Sequence, residues 1–189
     1  MSASLRLWAD ASITPPRAWR NRMGSASPSG VGTVFFVKRV LITGMSGTGK
    51  SAIVAALAAH GNKAIDTDYG YCKSAADGEW IWNEELVQEL LSSEDADVLF
   101  IAGCASNQGK FYDQFDLVIL LSAPAELMVE RIKSRAGNDF GKSPVELAKV
   151  LGDLETVEPR LRAGADSEVR TDRPLEVVVE DVVVLTGTL

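Results

Sequence analysis

The sequence predicts an α/β fold built around a parallel β-sheet. Two continuous apolar runs of strand length, "DVLFIAG" at 97–103 and "DLVILLSAP" at 116–124, are typical of strands that are buried on both faces. Such runs alternate with stretches of helical pattern, which favours strand–helix–strand units. A glycine-rich segment at 44–49 also separates an apolar strand from an alanine-rich helix. These features place strands at the centre of the molecule and helices around them.

The first half of the predicted domain alternates between strand and helix. Residues 34–43, "VFFVKRVLIT", end in a buried-strand run, and residues 51–61, "SAIVAALAAHG", predict a helix that a glycine closes. Residues 62–68, "NKAIDTD", predict a short strand. Residues 83–93 predict a helix, because their leucines recur at helical spacing behind Asn83 as the N-cap.

The second half continues the alternation with four further elements. They are a helix at 124–135, a helix at 143–165, a short strand near 166–171 and a final helix at 174–185. Pro124 is expected in the first turn of its helix, where a missing N–H group costs nothing. Ser143 and Glu146 form a capping-box pattern at the start of the next helix. The valine-rich last segment is also compatible with a strand.

Composition and charge limit the classes of protein that this chain represents. The chain has 189 residues, 46% of them hydrophobic, and a net charge of -7, so residues 34–189 are expected to form one domain. Because basic residues dominate residues 1–38, the body of the chain is strongly acidic, and we expect no nucleic-acid partner. No apolar stretch reaches the roughly 20 residues of a membrane span. We therefore expect no membrane partner. Two cysteines are too few for a disulfide framework and suit a reducing compartment, so we expect a cytoplasmic protein, a monomer or a homodimer, in which Cys72 and Cys104 are small buried hydrophobes.

Residues 1–33 differ in composition from everything that follows. They are rich in Arg, Ser, Pro and Gly and lack hydrophobic periodicity, which predicts a disordered extension. They contain no apolar core of a secretory signal. A translation start assigned too far upstream and an organelle transit peptide are the alternatives for this segment.

The glycine-rich segment matches the phosphate-binding pattern G-x-x-x-x-G-K-[ST] in the context that its mechanism needs, between a strand and a helix. Glycines let backbone N–H groups surround phosphate oxygens, and the helix N-terminus adds a favourable dipole. The lysine reaches the β- and γ-phosphates, and the serine hydroxyl is a ligand of Mg²⁺. The predicted nucleotide-binding residues are Gly44, Met45, Ser46, Gly47, Thr48, Gly49, Lys50, Ser51 and Ala52.

Two large classes of nucleotide-binding protein are excluded. A GTPase needs a guanine-reading N/T-K-x-D motif after a later strand, and Ser122, Ala123 and Pro124 stand there instead. Large motor or AAA-type ATPases need a longer chain. The remaining class transfers a phosphoryl group from ATP to a small acceptor, so ATP and Mg²⁺ are the expected cofactors.

The arrangement of further residues resembles the small P-loop kinases, namely the nucleoside-monophosphate kinases and the shikimate and gluconate kinases. The phosphate-binding loop is followed by "DTD" at 66–68, on the second strand, and by a helix that carries Arg131 and Arg135. The resemblance covers residues 38–187. It implies a three-layer P-loop NTPase fold with a five-stranded parallel sheet of order 2-3-1-4-5, helices on both faces and a mobile lid.

The resemblance also implies roles for individual residues. Asp68 matches the acceptor-binding aspartate of these kinases, and Asp66 matches the aspartate that holds the Mg²⁺ shell together with Ser51. Carboxylates spaced i, i+2 at the end of a strand point toward the same crevice. Arg131 and Arg135 lie one helical turn apart, so both are able to face the phosphates.

The predicted catalytic residues are therefore Lys50, Asp68, Arg131 and Arg135. Residues 135–143, "RAGNDFGKS", are expected to form the lid, with glycines that permit its motion. Arg173 and Pro174 fall where the relatives place the loop that contacts adenine.

Departures from the resemblance concern the phosphoryl acceptor. The triple glycine of shikimate kinases is replaced by Ala102-Gly103-Cys104, and their acceptor-binding arginine falls at Val157. The D-G-hydrophobic-P-R motif of nucleoside-monophosphate kinases is also missing. We expect a nucleotide or a nucleoside-like acceptor; the alternatives are a gluconate- or shikimate-like metabolite, and a nucleotide-binding regulatory module without an acceptor.

Residues 103–115 follow the end of a strand and are therefore expected to line the acceptor side. In this segment Asn107 and Gln108 either bond a polar acceptor or shape the loop. Trp80 and Trp82 share one face if their segment is extended. They either stack on a planar base or anchor a helix to the core.

Overall fold

A computed structural model describes residues 37–76 and 78–187 of the chain. The predicted extension at 1–33 lies outside the described residues. Within the described part, the helices are too short or too polar to cross a bilayer.

The central sheet has five parallel strands in the spatial order β2-β5-β1-β6-β7. If only these five strands are numbered along the chain, their spatial order is 2-3-1-4-5, which confirms the predicted topology. A separate antiparallel hairpin is formed by β3 and β4. The strands are β1 (Lys38–Thr43), β2 (Lys63–Asp66), β3 (Cys72–Ser74), β4 (Trp80–Trp82), β5 (Val98–Ala102), β6 (Leu117–Ser122) and β7 (Ser167–Arg170).

Helices cover both faces of the sheet. They are α1 (Lys50–Ala59), α2 (Glu84–Leu91), α3 (Ala125–Ser134), α4 (Pro144–Thr156), α5 (Glu158–Gly164) and α6 (Leu175–Thr186), with a 3-10 helix at Gln108–Gln114. Because side chains alternate along a strand, β1 sends Val40 and Ile42 toward α1 and α6, and Leu41 toward α2 and the 3-10 helix. A third apolar cluster joins the phosphate-binding loop to α3, α4 and α5.

The strand register aligns the carboxyl-terminal parts of neighbouring strands. Ile42 of β1 and Asp66 of β2 both pair with Ala102 of β5, and Thr43 pairs with Leu120 of β6. Ligands of open α/β sheets bind beyond the carboxyl ends of the strands, where the strand order reverses. In this sheet the reversal falls at β1, directly before the glycine-rich loop.

Three predicted elements differ in detail from the structure. The helix expected over 143–165 is two helices that break at Val157, because Pro159 has no N–H group to bond the carbonyl four residues earlier and its ring crowds that carbonyl. Pro124 is the N-cap residue of α3 and not a residue of its first turn. Asn83 precedes α2 as predicted, but within the described chain its side chain makes no capping hydrogen bond.

Two other expectations agree with the structure. The capping box of Ser143 and Glu146 is present at the start of α4. The valine-rich segment at the end of the described chain is the helix α6, and its buried valines pack on the sheet beside α1.

Candidate active site

The glycine-rich loop packs directly against its neighbours, which is why two of its glycines are required. A Cβ atom on Gly44 would lie 2.5 Å from the carbonyl oxygen of Leu121, at the end of β6. A Cβ atom on Gly47 would lie 2.8 Å from the carbonyl oxygen of Met128 in α3. Both glycines also have positive φ angles, of 152° and 89°. The loop therefore rests on β6 and α3 with no room for side chains at these positions.

The amino group of Lys50 lies inside the loop. Its Nζ donates hydrogen bonds to the carbonyl oxygens of Gly44, at 2.6 Å, and Met45, at 3.1 Å. The Thr48 hydroxyl donates to the same Met45 oxygen at 2.8 Å. Ser51 is exposed in the first turn of α1, a turn that contains no acidic residue. The loop thus combines an ammonium group, an exposed hydroxyl group and a helix N-terminus within a few residues.

Arg131 connects the loop to the far edge of the sheet. Its guanidinium donates to the carbonyl oxygen of Gly47 at 3.4 Å, and to the hydroxyl and carbonyl oxygens of Thr171 at 2.9 and 2.6 Å. Thr171 follows β7, and its hydroxyl also bonds the Ser122 carbonyl oxygen at 3.3 Å. Sequence reasoning missed Thr171, because no local pattern distinguishes this threonine from any other residue that follows a strand.

Arg135 lies between the loop and the predicted lid. Its guanidinium donates to the Ser46 hydroxyl at 3.3 Å, to the Asn138 carbonyl oxygen at 3.1 Å and to the Phe140 carbonyl oxygen. Gly137 and Gly141 in the lid both have positive φ angles, of 81° and 87°. Both arginines therefore contact the glycine-rich loop, but Arg135 is the extended C-cap residue of α3 and does not lie on the helix that was expected to carry it.

Asp66 and Asp68 stand at the end of β2. One oxygen of Asp66 accepts a hydrogen bond from the backbone N–H of Asp68 at 3.1 Å. The other oxygen of Asp66 is buried and has no hydrogen-bond partner within residues 37–76 and 78–187. An unpaired buried carboxylate oxygen is costly unless a cation or a donor reaches it.

Asp68 lies in the field of both loop cations. Asp68 is exposed, and partial desolvation by the neighbouring protein is the main cause that raises its pKa; Lys50 and Arg135 oppose the rise, and Asp66 adds to it. The charges of Lys50 and Arg135 therefore act on the Asp68 carboxylate.

Thr67, between the two aspartates, points to the opposite side and anchors them. Its hydroxyl donates to the Ala102 carbonyl oxygen at 2.8 Å and accepts from the indole N–H of Trp82 at 2.8 Å. Trp82 is fully buried and packs edge-to-face on Phe111, with ring centroids 5.6 Å apart. Sequence reasoning missed Thr67, although alternation along the strand predicts that it faces away from its acidic neighbours.

Asn107 and Gln108, in the segment 103–115, both bond internal partners. Asn107 accepts from the backbone N–H of Trp82 at 2.9 Å and donates to its carbonyl oxygen at 3.1 Å. Gln108 is buried, with 3% exposure, and bonds the hydroxyls of Thr43 and Tyr112. Both residues shape the loop, which is one of the two alternatives that the sequence left open.

The two tryptophans of the hairpin have different surroundings. Trp82 is the anchor that one alternative predicted, whereas Trp80 is 52% exposed. Arg173 ties the loop before α6, because its guanidinium bonds the Arg170 carbonyl oxygen at 3.2 Å and pairs with Asp181. Pro174 is the N-cap residue of α6. The link between Arg131 and Thr171 holds this loop beside the glycine-rich loop.

Comparisons with known proteins address the fold. A family model described as AAA domain, AAA_18, matches residues 40–152. This range includes the glycine-rich loop, the two aspartates and the predicted lid. The chain is too short for the large AAA-type ATPases. The match shows that a family described as an AAA domain also includes a chain of this size. A comparison with curated protein sequences found no match.

Three solved structures are similar to the chain. The shikimate kinase from Acinetobacter baumannii, in complex with shikimate, has a TM-score of 0.62 at 17% identity, over 82% of this chain and 97% of that one. A gluconokinase from Sinorhizobium meliloti 1021 has a TM-score of 0.57 at 23% identity, over 80% and 91%. A sugar kinase from Janibacter sp. HTCC2649 has a TM-score of 0.54 at 20% identity, over 80% and 95%. Since the family match spans more than half of the chain, this protein belongs to the AAA_18 family, and it shares the fold of these three kinase structures.

Proposed function

We propose that the protein is an ATP-dependent kinase that transfers the γ-phosphoryl group of ATP to a small-molecule acceptor. The observation that carries the proposal is the convergence of three cationic side chains on the glycine-rich loop. Lys50, Arg131 and Arg135 all bond atoms of residues 44–47, and Asp68 lies in the field of Lys50 and Arg135. Positioning and charge neutralisation of this kind are the main contributions of proteins to phosphoryl transfer.

Each side chain has a role in this proposal. Lys50 exchanges its present partners, the carbonyl oxygens of Gly44 and Met45, for phosphate oxygens. Arg131 and Arg135 neutralise charge that develops on the transferred group. Asp68 orients the acceptor hydroxyl or takes its proton, and its raised pKa makes it a better base than an ordinary aspartate.

The residues present fit a magnesium ion. The partnerless buried oxygen of Asp66 and the exposed hydroxyl of Ser51 are hard oxygen ligands. No cluster of three or more His, Cys, Asp or Glu side chains is arranged for a metal within the described chain. Mg²⁺ takes one or two protein ligands together with water and substrate phosphates. When bound, the ion would neutralise charge on the β- and γ-phosphates.

For the acceptor, we propose a nucleotide or a nucleoside-like molecule. The support is Trp80, whose half-exposed indole stands on the β3–β4 hairpin opposite Ser74. An exposed aromatic ring offers a stacking surface to a base. The names of the similar structures, shikimate kinase, gluconokinase and sugar kinase, support a small metabolite as the alternative.

A coupled assay of ADP formation tests the proposed activity. With Mg²⁺ and ATP, the correct acceptor should raise ADP formation far above the rate seen with water alone. The variant Lys50→Ala should lower turnover by orders of magnitude while its circular dichroism spectrum stays that of the wild type. A folded Lys50→Ala protein with near-normal transfer would contradict the mechanism. ATP binding without acceptor-stimulated turnover would instead indicate the regulatory module.

A further inference from the structure

The segment that follows β5 leaves the sheet between two parts of the candidate site. β5 lies between β2 and β1 in the sheet. The acidic turn, residues 66–68, begins at the end of β2, and the glycine-rich loop, residues 44–49, follows β1. Hydrogen bonds from two adjacent residues of the segment after β5, Asn107 and Gln108, lead to these two parts separately.

The side chain of Asn107 holds the backbone of Trp82, and Trp82 holds the acidic turn. Asn107 Oδ1 accepts from the Trp82 backbone N–H at 2.9 Å, and its Nδ2 donates to the Trp82 carbonyl oxygen at 3.1 Å. The indole N–H of Trp82 then donates to the Thr67 hydroxyl at 2.8 Å. Thr67 is the middle residue of the acidic turn, and both it and Trp82 are fully buried. The position of the turn is thereby tied to that of Asn107.

The side chain of Gln108 reaches the residue directly before the glycine-rich loop. Its amide nitrogen and oxygen lie 3.2 and 3.3 Å from the hydroxyl oxygen of Thr43. The amide oxygen also accepts from the backbone N–H of Ala105 at 3.3 Å, and the nitrogen donates to the Tyr112 hydroxyl at 2.9 Å. The ring of Tyr112 is held against α5, where a Cβ atom on Gly164 would lie 2.6 Å from it. Both ends of the Gln108 amide are therefore fixed.

The interior position of Gln108 is unusual for an amide side chain. Gln108 is 3% exposed, and Thr43 is fully buried. A buried amide needs hydrogen bonds to replace those that it loses to water, whereas an apolar side chain of similar size would fill the same space without that requirement. Hydrogen bonds are directional and apolar contacts are not. The amide therefore fixes a geometry in addition to filling the interior.

We propose that Asn107 and Gln108 are positioning residues, which together set the separation between the acidic turn and the glycine-rich loop for Mg²⁺ binding. The inference rests on the magnesium site of the proposed function and adds residues that act on it through their bonding partners. The ion would join the acidic turn to a nucleotide held by the loop. Because Mg²⁺ demands near-ideal octahedral geometry at about 2.0–2.1 Å, a small change in that separation weakens its binding.

Calorimetric titration with adenylyl imidodiphosphate, an ATP analogue that resists phosphoryl transfer, tests this proposal. The dissociation constant is measured in EDTA and again with saturating Mg²⁺, and the ratio of the two values is the tightening that the ion provides. We expect a tightening of at least about tenfold in wild type. Asn107→Ala and Gln108→Met should each reduce it by at least about threefold, because groups that orient metal ligands typically contribute about tenfold or more to metal affinity.

Two control variants separate positioning from a general loss of stability. Gln114→Met makes the same change of side chain in the same 3-10 helix, but at a surface amide pair with Gln88, so the tightening should equal that of wild type. Val182→Ala removes buried methyl groups near the end of α6, which lies beside the start of β1. It should lower the melting temperature and leave the tightening unchanged.

The outcomes distinguish this inference from the proposed function. If Mg²⁺ does not tighten binding of the analogue by wild type, the proposed magnesium site fails, and this inference fails with it. If wild type shows the tightening and folded Asn107→Ala and Gln108→Met proteins retain it in full, the inference alone is overturned. An equal loss in Val182→Ala would also overturn it. If Gln108→Met does not fold, Tyr112→Phe, which removes only the hydroxyl that Gln108 bonds, replaces it with the same expected result.

Discussion

Substituting Gly103 with alanine tests how the two aspartates are held in place. The added Cβ atom would lie 2.1 Å from the Thr67 hydroxyl oxygen and 3.2 Å from the indole nitrogen of Trp82. These two groups are themselves hydrogen-bonded, and Thr67 also bonds the Ala102 carbonyl oxygen. The methyl group therefore cannot be accommodated without moving a buried hydrogen-bonded chain.

Two contributions set the expected magnitude. Overpacking a close-packed interior costs about 1–3 kcal/mol. Breaking one of the Thr67 hydrogen bonds adds about 1 kcal/mol. We expect Gly103→Ala to lower the free energy of unfolding by about 3 kcal/mol, which for a domain of this size lowers the melting temperature by about 6–12 °C. Urea unfolding and calorimetric melting measure both values.

Two variants control this experiment. Gly109→Ala adds a methyl group with no atom within 4 Å of its Cβ, so its stability should stay within about 0.5 kcal/mol of wild type. Thr67→Ala removes the hydroxyl that clashes with the new methyl group. The double variant Gly103→Ala/Thr67→Ala should therefore be at least about 1 kcal/mol more stable than the sum of the two single effects predicts. Full additivity, or a Gly103→Ala protein as stable as wild type, would refute the packing argument.

Three further predictions concern catalysis, pH and the chain before the domain. Asp68→Asn should lower kcat/KM by about 10²- to 10⁴-fold, the range for loss of a general base. Its affinity for ATP, measured by calorimetry, should change by less than about threefold. A collapse of ATP affinity would instead assign Asp68 to the metal site. Hydrogen bonds from Arg162 lower the pKa of Glu168 to about 2, so its stabilisation is complete above the unfolded pKa of about 4.3 and is lost as pH falls toward 2. Glu168→Gln should therefore be less stable by about 0.5–1 kcal/mol at pH 7 in urea unfolding, and a gap that persists at pH 2 would contradict the assignment. Deleting residues 1–33 should leave the melting temperature and ATP affinity unchanged, and a large drop in either would show that this segment packs on the domain.

Local patterns were sufficient to predict most of the fold. The apolar runs of β5 and β6 and the glycine-rich loop after β1 each carry their signal within about ten residues. The strand order followed from the resemblance to small P-loop kinases and is confirmed by the register. The capping box at Ser143 marks where the helix begins but not where it ends. The signal for the break at Val157 is Pro159, and the sequence prediction did not use it.

The site was less predictable because its contacts join residues that are far apart in sequence. Nothing near Arg131 indicates that Thr171 will hold its guanidinium, and nothing near Asn107 indicates that the backbone of Trp82 will occupy its amide. Residue type gives the bonds that a side chain is able to make, and tertiary packing decides which are made. This is why Asn107 and Gln108 stayed undecided until their partners were known.

The hydrogen bonds that join Gly47 to Thr171 through Arg131 determine when, during its synthesis, the protein is first able to bind ATP. The glycine-rich loop leaves the ribosome early, but β6, α3 and Thr171 are translated much later, and each of them supports that loop. At about 5–20 residues per second, the interval between Lys50 and Thr171 lasts on the order of 10 s. A nascent chain therefore carries a complete phosphate-binding sequence well before it carries a complete phosphate-binding site. Ribosome-bound chains that end before β7 should accordingly fail to retain ATP.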